Sequence, residues 1–267
     1  MCYPDRARPP LPPIIGGAQD QSDLVLTAAD GNRLLAYAVR ATHPRGSGMV
    51  ILPDVRGLHH FYKELADRFA EAGVDAVAID YFGRTAGLGD RDDGFDYQPH
   101  LRQLTPEGID ADTAAAIAHL RSEQGGRVRS VFTVGFCFGG ANSWRQSATQ
   151  TGLAGAIGFY GRPERVRHLI SKMKAPLLLL VAGADAATPP EESQRFDQEL
   201  TAASVPHKTV VYAGAPHSFF DRTFEQHREA SADAWRQLLS FISSPPLRGG
   251  AGEGPAQGRT YEGVPAR

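Results

Sequence analysis

Cys137 stands in the run Gly135-Phe136-Cys137-Phe138-Gly139-Gly140, directly after the apolar segment Val131–Val134. The pattern is G-x-S-x-G with sulfur in place of oxygen. A nucleophile in that pattern sits on a sharp strand-to-helix turn, where side chains two residues to either side would strike neighbouring backbone, so glycine stands there. The head of the following helix favours negative charge, and with it a thiolate. Such a group can attack an activated carbonyl if a base takes its proton and a third group orients the base. A lone cysteine is more often an inert apolar residue. What distinguishes this one is the set of residues further along the chain.

Asp185 follows the apolar run Pro176–Ala182, in the sequence Gly183-Ala184-Asp185. An aspartate there can fix an imidazole tautomer and stabilise imidazolium. Taken alone it reads as a turn or capping residue ahead of Ala186-Ala187-Thr188-Pro189. His217 lies in Ala215-Pro216-His217-Ser218-Phe219, after the run Lys208–Tyr212. The chain has nine histidines, and His59 and His60 rival His217 for the role of base because they too fall near the end of an apolar run. The chain order of nucleophile, acid and histidine favours Cys137, Asp185 and His217 as one set. Leu52-Pro53-Asp54-Val55-Arg56-Gly57 follows the run Met49–Leu52. Its place predicts that the Val55 amide joins the Phe138 amide as a pair of oxyanion donors, with Asp54 near the thiol.

The elements that must carry these groups read as strands alternating with helices. Asp23–Ala28 and Leu34–Arg40, joined by Asp30-Gly31-Asn32, predict a hairpin. Met49–Leu52, Val74–Asp80, Val131–Gly135, Ala154–Phe159, Pro176–Ala182 and Lys208–Tyr212 are almost continuously apolar, as strands covered on both faces are. Helical periodicity fills the gaps at Phe61–Ala72, Ala111–Arg121, Gly139–Ala148, Glu191–Ala203 and Phe224–Ile242. The expected architecture is α/β, a three-layer sandwich with a mostly parallel sheet of about eight strands and helices on both faces. Ligands bind such sheets at the carboxyl ends of the strands, where every candidate above falls.

The chain has 267 residues, 42% of them hydrophobic and 22% charged, which excludes a chain disordered throughout. A net charge of −2 gives no basic footprint for nucleic acid or anionic lipid. No apolar run is long enough to cross a bilayer. Two cysteines make no disulfide framework, and the N-terminus lacks an apolar core of signal-peptide length, so a cytoplasmic protein is expected. Residues 1–20 read as a Pro/Gly-rich tail, partly packed through Ile14 and Ile15. Residues 21–243 read as one domain, and 244–267 as a disordered tail rich in Gly and Pro.

With these residues assembled, the chain resembles the dienelactone hydrolase (carboxymethylenebutenolidase) family of the α/β-hydrolase fold over roughly residues 22–242. Its nucleophile motif G-x-C-x-G-G matches Gly135–Gly140, its acid motif G-x-D matches Gly183-Ala184-Asp185, and its G-H-S-F matches Pro216-His217-Ser218-Phe219 with proline for glycine. Asp80-Tyr81-Phe82-Gly83-Arg84 resembles the family's D-L-Y-x-R segment, which implies that Arg84 binds a substrate carboxylate. Gly158-Phe159-Tyr160-Gly161 resembles its G-Y-Y-G strand end, which implies that Tyr160 lines the pocket. Two positions depart. Asp54 stands where the family's best-known members carry glutamate, and Asp221 stands where they carry a second carboxylate-binding arginine. Arg222, one residue later, or Arg56 from another loop would have to substitute.

The resemblance implies cleavage of a carboxylate-bearing lactone or activated ester through a thioester acyl-enzyme, with no metal or organic cofactor and a small-molecule substrate as the only partner. A monomer is the default expectation. A broader carboxylesterase or thioesterase with the same three residues is the alternative. A non-hydrolytic redox or ligand sensor built on Cys137 is a third reading, weakened by the lack of a nearby resolving cysteine.

Overall fold

The computed structural model describes residues 7–243 and 259–261. Nine strands form one sheet: β1 (Ala18–Thr27), β2 (Arg33–Ala41), β3 (Ser47–Leu52), β4 (Asp75–Ile79), β5 (Ser130–Phe136), β6 (Gly155–Phe159), β7 (Leu177–Ala182), β8 (His207–Tyr212) and β9 (Arg259–Tyr261). Their spatial order is β1-β2-β4-β3-β5-β6-β7-β8-β9. The β1–β2 and β2–β4 pairs are antiparallel, and every later pair is parallel. All residues of β4, β6 and β7 are buried, which is why these runs show no polar alternation.

The helices are α1 (His60–Glu71), the single turns α2 (Gly83–Ala86) and α3 (Gln98–Leu101), α4 (Pro106–Arg121), α5 (Phe138–Thr149), α6 (Pro190–Ala202) and α7 (Arg228–Ser243). Side chains alternate across each strand, so the sheet has two apolar faces to cover. On one face Phe61 and Phe69 of α1 and Trp235 and Phe241 of α7 pack against Ile51, Val134, Ile157 and Leu180. On the other, Ile117 and Leu120 of α4, Trp144 of α5 and Phe196 and Leu200 of α6 pack against Val50, Val77 and Leu179. This is the expected three-layer sandwich.

The edges differ from the sequence reading in several places. Helix α4 starts at Pro106 rather than Ala111, because Thr105 caps it by accepting a hydrogen bond from the Gly108 amide at 3.1 Å and Pro106 suits the first helical position. Helix α7 starts at Arg228, after turns that occupy the residues from Phe224. Strand β1 starts at Ala18, inside the stretch read as tail, with a bulge between Gln19 and Ser22. Residues ahead of it are docked as well. The Trp235 indole donates to Pro10 O at 3.0 Å, and the Ile15 and Gly16 amides donate to Glu71 O. Pro9 and Pro10 are buried, whereas the Ile14 and Ile15 side chains are exposed, so backbone and prolines do the anchoring. The disordered segment expected over 244–267 lies outside the described residues, apart from Arg259–Tyr261, whose backbone adds β9 beside β8. Among the described residues no helix is long and apolar enough to cross a membrane.

Candidate active site

Cys137 lies between β5 and α5 with φ 54° and ψ −111°, a conformation that a side chain rarely adopts. Such a backbone costs about 1–3 kcal/mol and persists where the surroundings dictate it. Here they do. A Cβ on Gly135 would lie 1.9 Å from Gly139 O, and one on Gly139 would lie 2.1 Å from Leu52 O. The turn is pinned by the Cys137 amide, which donates to Phe159 O at 3.1 Å, and by the Gly140 amide, which donates to Cys137 O at 3.0 Å. The thiol is half-buried at the head of α5. The Phe138 amide, first in that helix, has no acceptor within it.

The turns after β7 and β8 bring Asp185 and His217 together. The Ala184 amide donates to Ala215 O at 2.9 Å, tying one turn to the other. His217 Nδ1 lies 2.7 Å from Asp185 Oδ2. Asp185 Oδ1 accepts from the amides of Ala187 and Thr188 at 2.7 and 3.1 Å. Burial alone would raise the Asp185 carboxyl, but the hydrogen bond and charge of His217 and these two amides outweigh it and hold the group below its usual range. Burial alone would lower the His217 imidazole. Hydrogen bonds to Asp185 and Cys137, with the charges of both, instead push it up to about 10. Both partners thus favour the protonated form of His217.

Asp54 and Val55 follow β3 as expected. Asp54 is fully buried, its Oδ1 accepts from the Arg56 amide at 2.9 Å, and its own amide donates to Tyr62 Oη at 3.0 Å. Tyr81 Oη donates to Pro53 O at 2.9 Å and braces the same loop. Val55 is half-exposed within it. Tyr160, after β6, has φ 38°, and its ring centroid lies 4.9 Å from that of His217. Its hydroxyl donates to Asp221 Oδ2 at 3.0 Å.

Asp221 is the group that the sequence marked only as a departure. It is buried, four residues after His217, at the end of a turn that Phe219 and Phe220 anchor in the core. Burial pushes its carboxyl up to about 6, the charge on Asp54 pushes the same way, and the Arg222 amide, the Tyr160 hydroxyl and the charge on His217 pull it down. An apolar pair directly before an acid is the signal that would have found it.

The three candidate arginines differ in what they engage. The Arg84 guanidinium donates to Asp112 through Nε (3.1 Å) and Nη2 (2.8 Å), to Asp30 at 2.6 Å and to Gly108 O at 3.1 Å. That network joins α2, α4 and the β1–β2 hairpin and engages the guanidinium that the resemblance assigns to a substrate carboxylate. The carboxyl pair at 30 and 112 is distant in sequence and adjacent in space. Arg56 is buried and paired with Asp93. The side chain of Arg222 is exposed. Of the rival histidines, His59 caps α1 by accepting from the Phe61 amide, and His60 meets Arg8 at 3.0 Å.

A family model described as "Dienelactone hydrolase family" matches residues 34–244. A protein of Escherichia coli strain K12 named "Putative carboxymethylenebutenolidase" is 26% identical over 229 residues, which cover 80% of this chain and 83% of that protein. A protein of the same name from Saccharolobus solfataricus is 28% identical over 254 residues, covering 80% and 95%. A solved structure titled "Crystal Structure of Putative Dienelactone Hydrolase from Klebsiella pneumoniae subsp. pneumoniae MGH 78578" superposes with a TM-score of 0.70 at 25% identity, covering 85% of this chain and 98% of that one.

Proposed function

Because this chain belongs to the dienelactone hydrolase family and has the α/β-hydrolase fold, we propose that it hydrolyses an activated carboxylic ester or lactone through Cys137, His217 and Asp185. The observation that carries the reading is His217, held at Nδ1 by Asp185 at 2.7 Å on the turn beside the elbow of Cys137, whose charge acts on the imidazole.

The reaction follows from that arrangement. The imidazolium stabilises negative charge on sulfur. The thiolate adds to the carbonyl carbon, an S–C bond forms, and the C=O electron pair moves onto oxygen. The amides of Phe138 and Val55 receive that charge, and one such donor lowers a barrier by about 3 kcal/mol. Collapse breaks the bond to the leaving oxygen, which takes the His217 proton. The neutral imidazole then draws a proton from water. The hydroxide adds to the thioester, and the thiolate departs with its electron pair. Asp185 holds the ring in one tautomer throughout. A thiolate leaves a tetrahedral adduct as readily as an enolate or aryl oxide does, and far more readily than an alkoxide. The substrates favoured are therefore enol-lactones, aryl esters and thioesters.

A carboxylate-bearing dienelactone is the narrower form of this reading. The engagement of Arg84 with Asp30 and Asp112 favours the broader one, an esterase or thioesterase without a carboxylate clamp. The test is an assay of wild type and Cys137→Ala against a dienelactone, an activated aryl ester and a thioester. Turnover of any of these by wild type that Cys137→Ala abolishes supports the thiol mechanism, and the substrate pattern chooses between the two forms. Turnover that survives in Cys137→Ala, or its absence in wild type, rejects it. The remaining combination, reversible oxidation of Cys137 without turnover, would restore the sensor reading. The protein is expected to act in the cytoplasm as a monomer, which fractionation and sedimentation would check.

A further inference from the structure

Two buried carboxyl groups, Asp54 and Asp221, lie on the loop after β3 and on the turn that carries His217, and the exposed Arg165 guanidinium stands 5.3 Å from the ring centroid of Phe138. Asp221 is 1% exposed and Asp54 fully buried. The Asp54 charge is the second cause, after burial, of the raised Asp221 carboxyl. Tyr160 links them to the sulfur. Its hydroxyl binds Asp221 Oδ2 at 3.0 Å, its ring lies 4.9 Å from the His217 ring, and burial together with the charges of Asp221, Cys137 and Asp54 raises its own phenol. Asp221 Oδ1 accepts from the Arg222 amide while the Arg222 side chain stays exposed. On the adjoining loops Arg56 pairs with Asp93, and Arg91 donates to Asp80 at 2.9 Å. The groups facing Asp221 are thus Asp54 from the loop after β3, Tyr160 from the end of β6 and His217 from its own turn. His217 is the one basic group in that set, and Asp185 already holds it at Nδ1.

We propose that Asp221, acting together with Asp54, is a specificity-determining residue that selects uncharged acyl groups and disfavours acyl groups bearing a carboxylate of their own. The proposal rests on the hydrolase reading for its meaning and names the substrate class of the same site. The physics is like-charge repulsion in a cleft where burial weakens solvent screening. A second carboxylate brought near Asp54 and Asp221 loses about tenfold or more in relative rate against an uncharged isostere. A protonated His217 and the Arg165 guanidinium over Phe138 act in the opposite sense, since cations attract an anion, so the sign of the preference reports which field prevails.

The experiment uses the full chain with Cys2→Ser, which leaves Cys137 as its one thiol. Alkylation of Cys137 is timed with iodoacetamide and with iodoacetate between pH 5 and 8, beside a small cysteine peptide as reference. In both reactions the thiolate forms an S–C bond as the C–I bond breaks and iodide leaves with the electron pair, so the reagents differ in charge. The expected iodoacetamide-to-iodoacetate rate ratio, taken relative to the peptide, is about tenfold or more at pH 8. It rises from pH 5 to 7 as Asp221 ionises, and falls severalfold toward the peptide value in Asp221→Asn. A ratio equal to or below that of the peptide, or a ratio unmoved in a folded Asp221→Asn, overturns the proposal. Should that variant fail to fold, the pH dependence in the parent decides, and a flat ratio overturns it. In parallel, kcat/KM is compared for an aryl ester of an uncharged acid and an aryl monoester of a dicarboxylic acid. Hydrolysis of neither ester rejects the hydrolase reading while the alkylation ratio still judges Asp221.

Discussion

The turn after β7 and the turn after β8 each end on a buried carboxyl group, and the two groups titrate in opposite directions. Asp185 receives two backbone amides and an imidazolium, and its carboxyl is held below the usual range. Asp221 receives one amide and a neutral phenol, faces the charge on Asp54, and is pushed up to about 6. Burial acts upward on both, so burial does not separate them. The number of donors and the sign of the nearest charge do. One turn is arranged to keep an anion permanently beside His217. The other holds an acid whose charge depends on pH.

Removing the permanent anion is the largest perturbation of this pair. Asp185→Asn keeps the shape but loses the charge that orients and stabilises the imidazolium, and kcat on an activated aryl ester is expected to fall about 10³–10⁴-fold, read from steady-state rates at saturation. The pH-dependent acid has a different signature. A carboxyl raised from 3.8 to about 6 favours the folded state at low pH and loses that contribution as pH rises through 6. Wild type should therefore lose up to about 3 kcal/mol of unfolding free energy from this group between pH 4 and 7, and Asp221→Asn should not, as urea midpoints at each pH will show. Tyr160→Phe sharpens the contrast by deleting the phenol donor. It should cost about 1 kcal/mol at neutral pH, with kcat changed no more than about threefold, by the same denaturation and kinetic assays. The smallest effect on activity lies outside both turns. Arg84→Ala should leave KM and kcat for anionic and neutral esters within about twofold while lowering stability by about 1–3 kcal/mol, because Asp112 is left buried with fewer donors. A large rise in KM confined to the anionic ester would return Arg84 to the site.

What could be read from the residues alone depended on how local the cause was. Gly135 and Gly139 announce the turn at Cys137 because the collision that requires them is with backbone a few residues away, Gly139 O and Leu52 O. Asp185 and His217 were legible because each follows an apolar run that has to be a buried strand, and such strands deliver their next residues to one edge. The partners of Arg84 were not legible, because Asp30 and Asp112 come from a hairpin and a helix whose meeting no local pattern encodes. Asp221 was visible as an unusual residue but not as a buried one. Its burial needs Phe219 and Phe220 seated among Phe159 and Tyr160, and its raised carboxyl also needs Asp54. The start of α4 was within reach, since Thr105-Pro106-Glu107 is a capping sequence.

The order of strands in the sheet has a consequence for how a population of these molecules should be judged. The groups around the sulfur come from the ends of β3, β5, β6, β7 and β8, so they span the chain from Asp54 to Asp221 and no fragment shorter than that stretch holds them all. The register that sets Ala182 beside Tyr212 is what lets the following turns meet. A slip of one residue would send every side chain of that strand to the opposite face and separate the imidazole from its carboxylate. Activity is thus a census of correctly threaded chains. In a refolded or heat-stressed preparation, the activity per milligram of total protein, set against that of the native preparation, counts the fraction that completed the sheet, a quality measure that bulk secondary-structure signals would overstate.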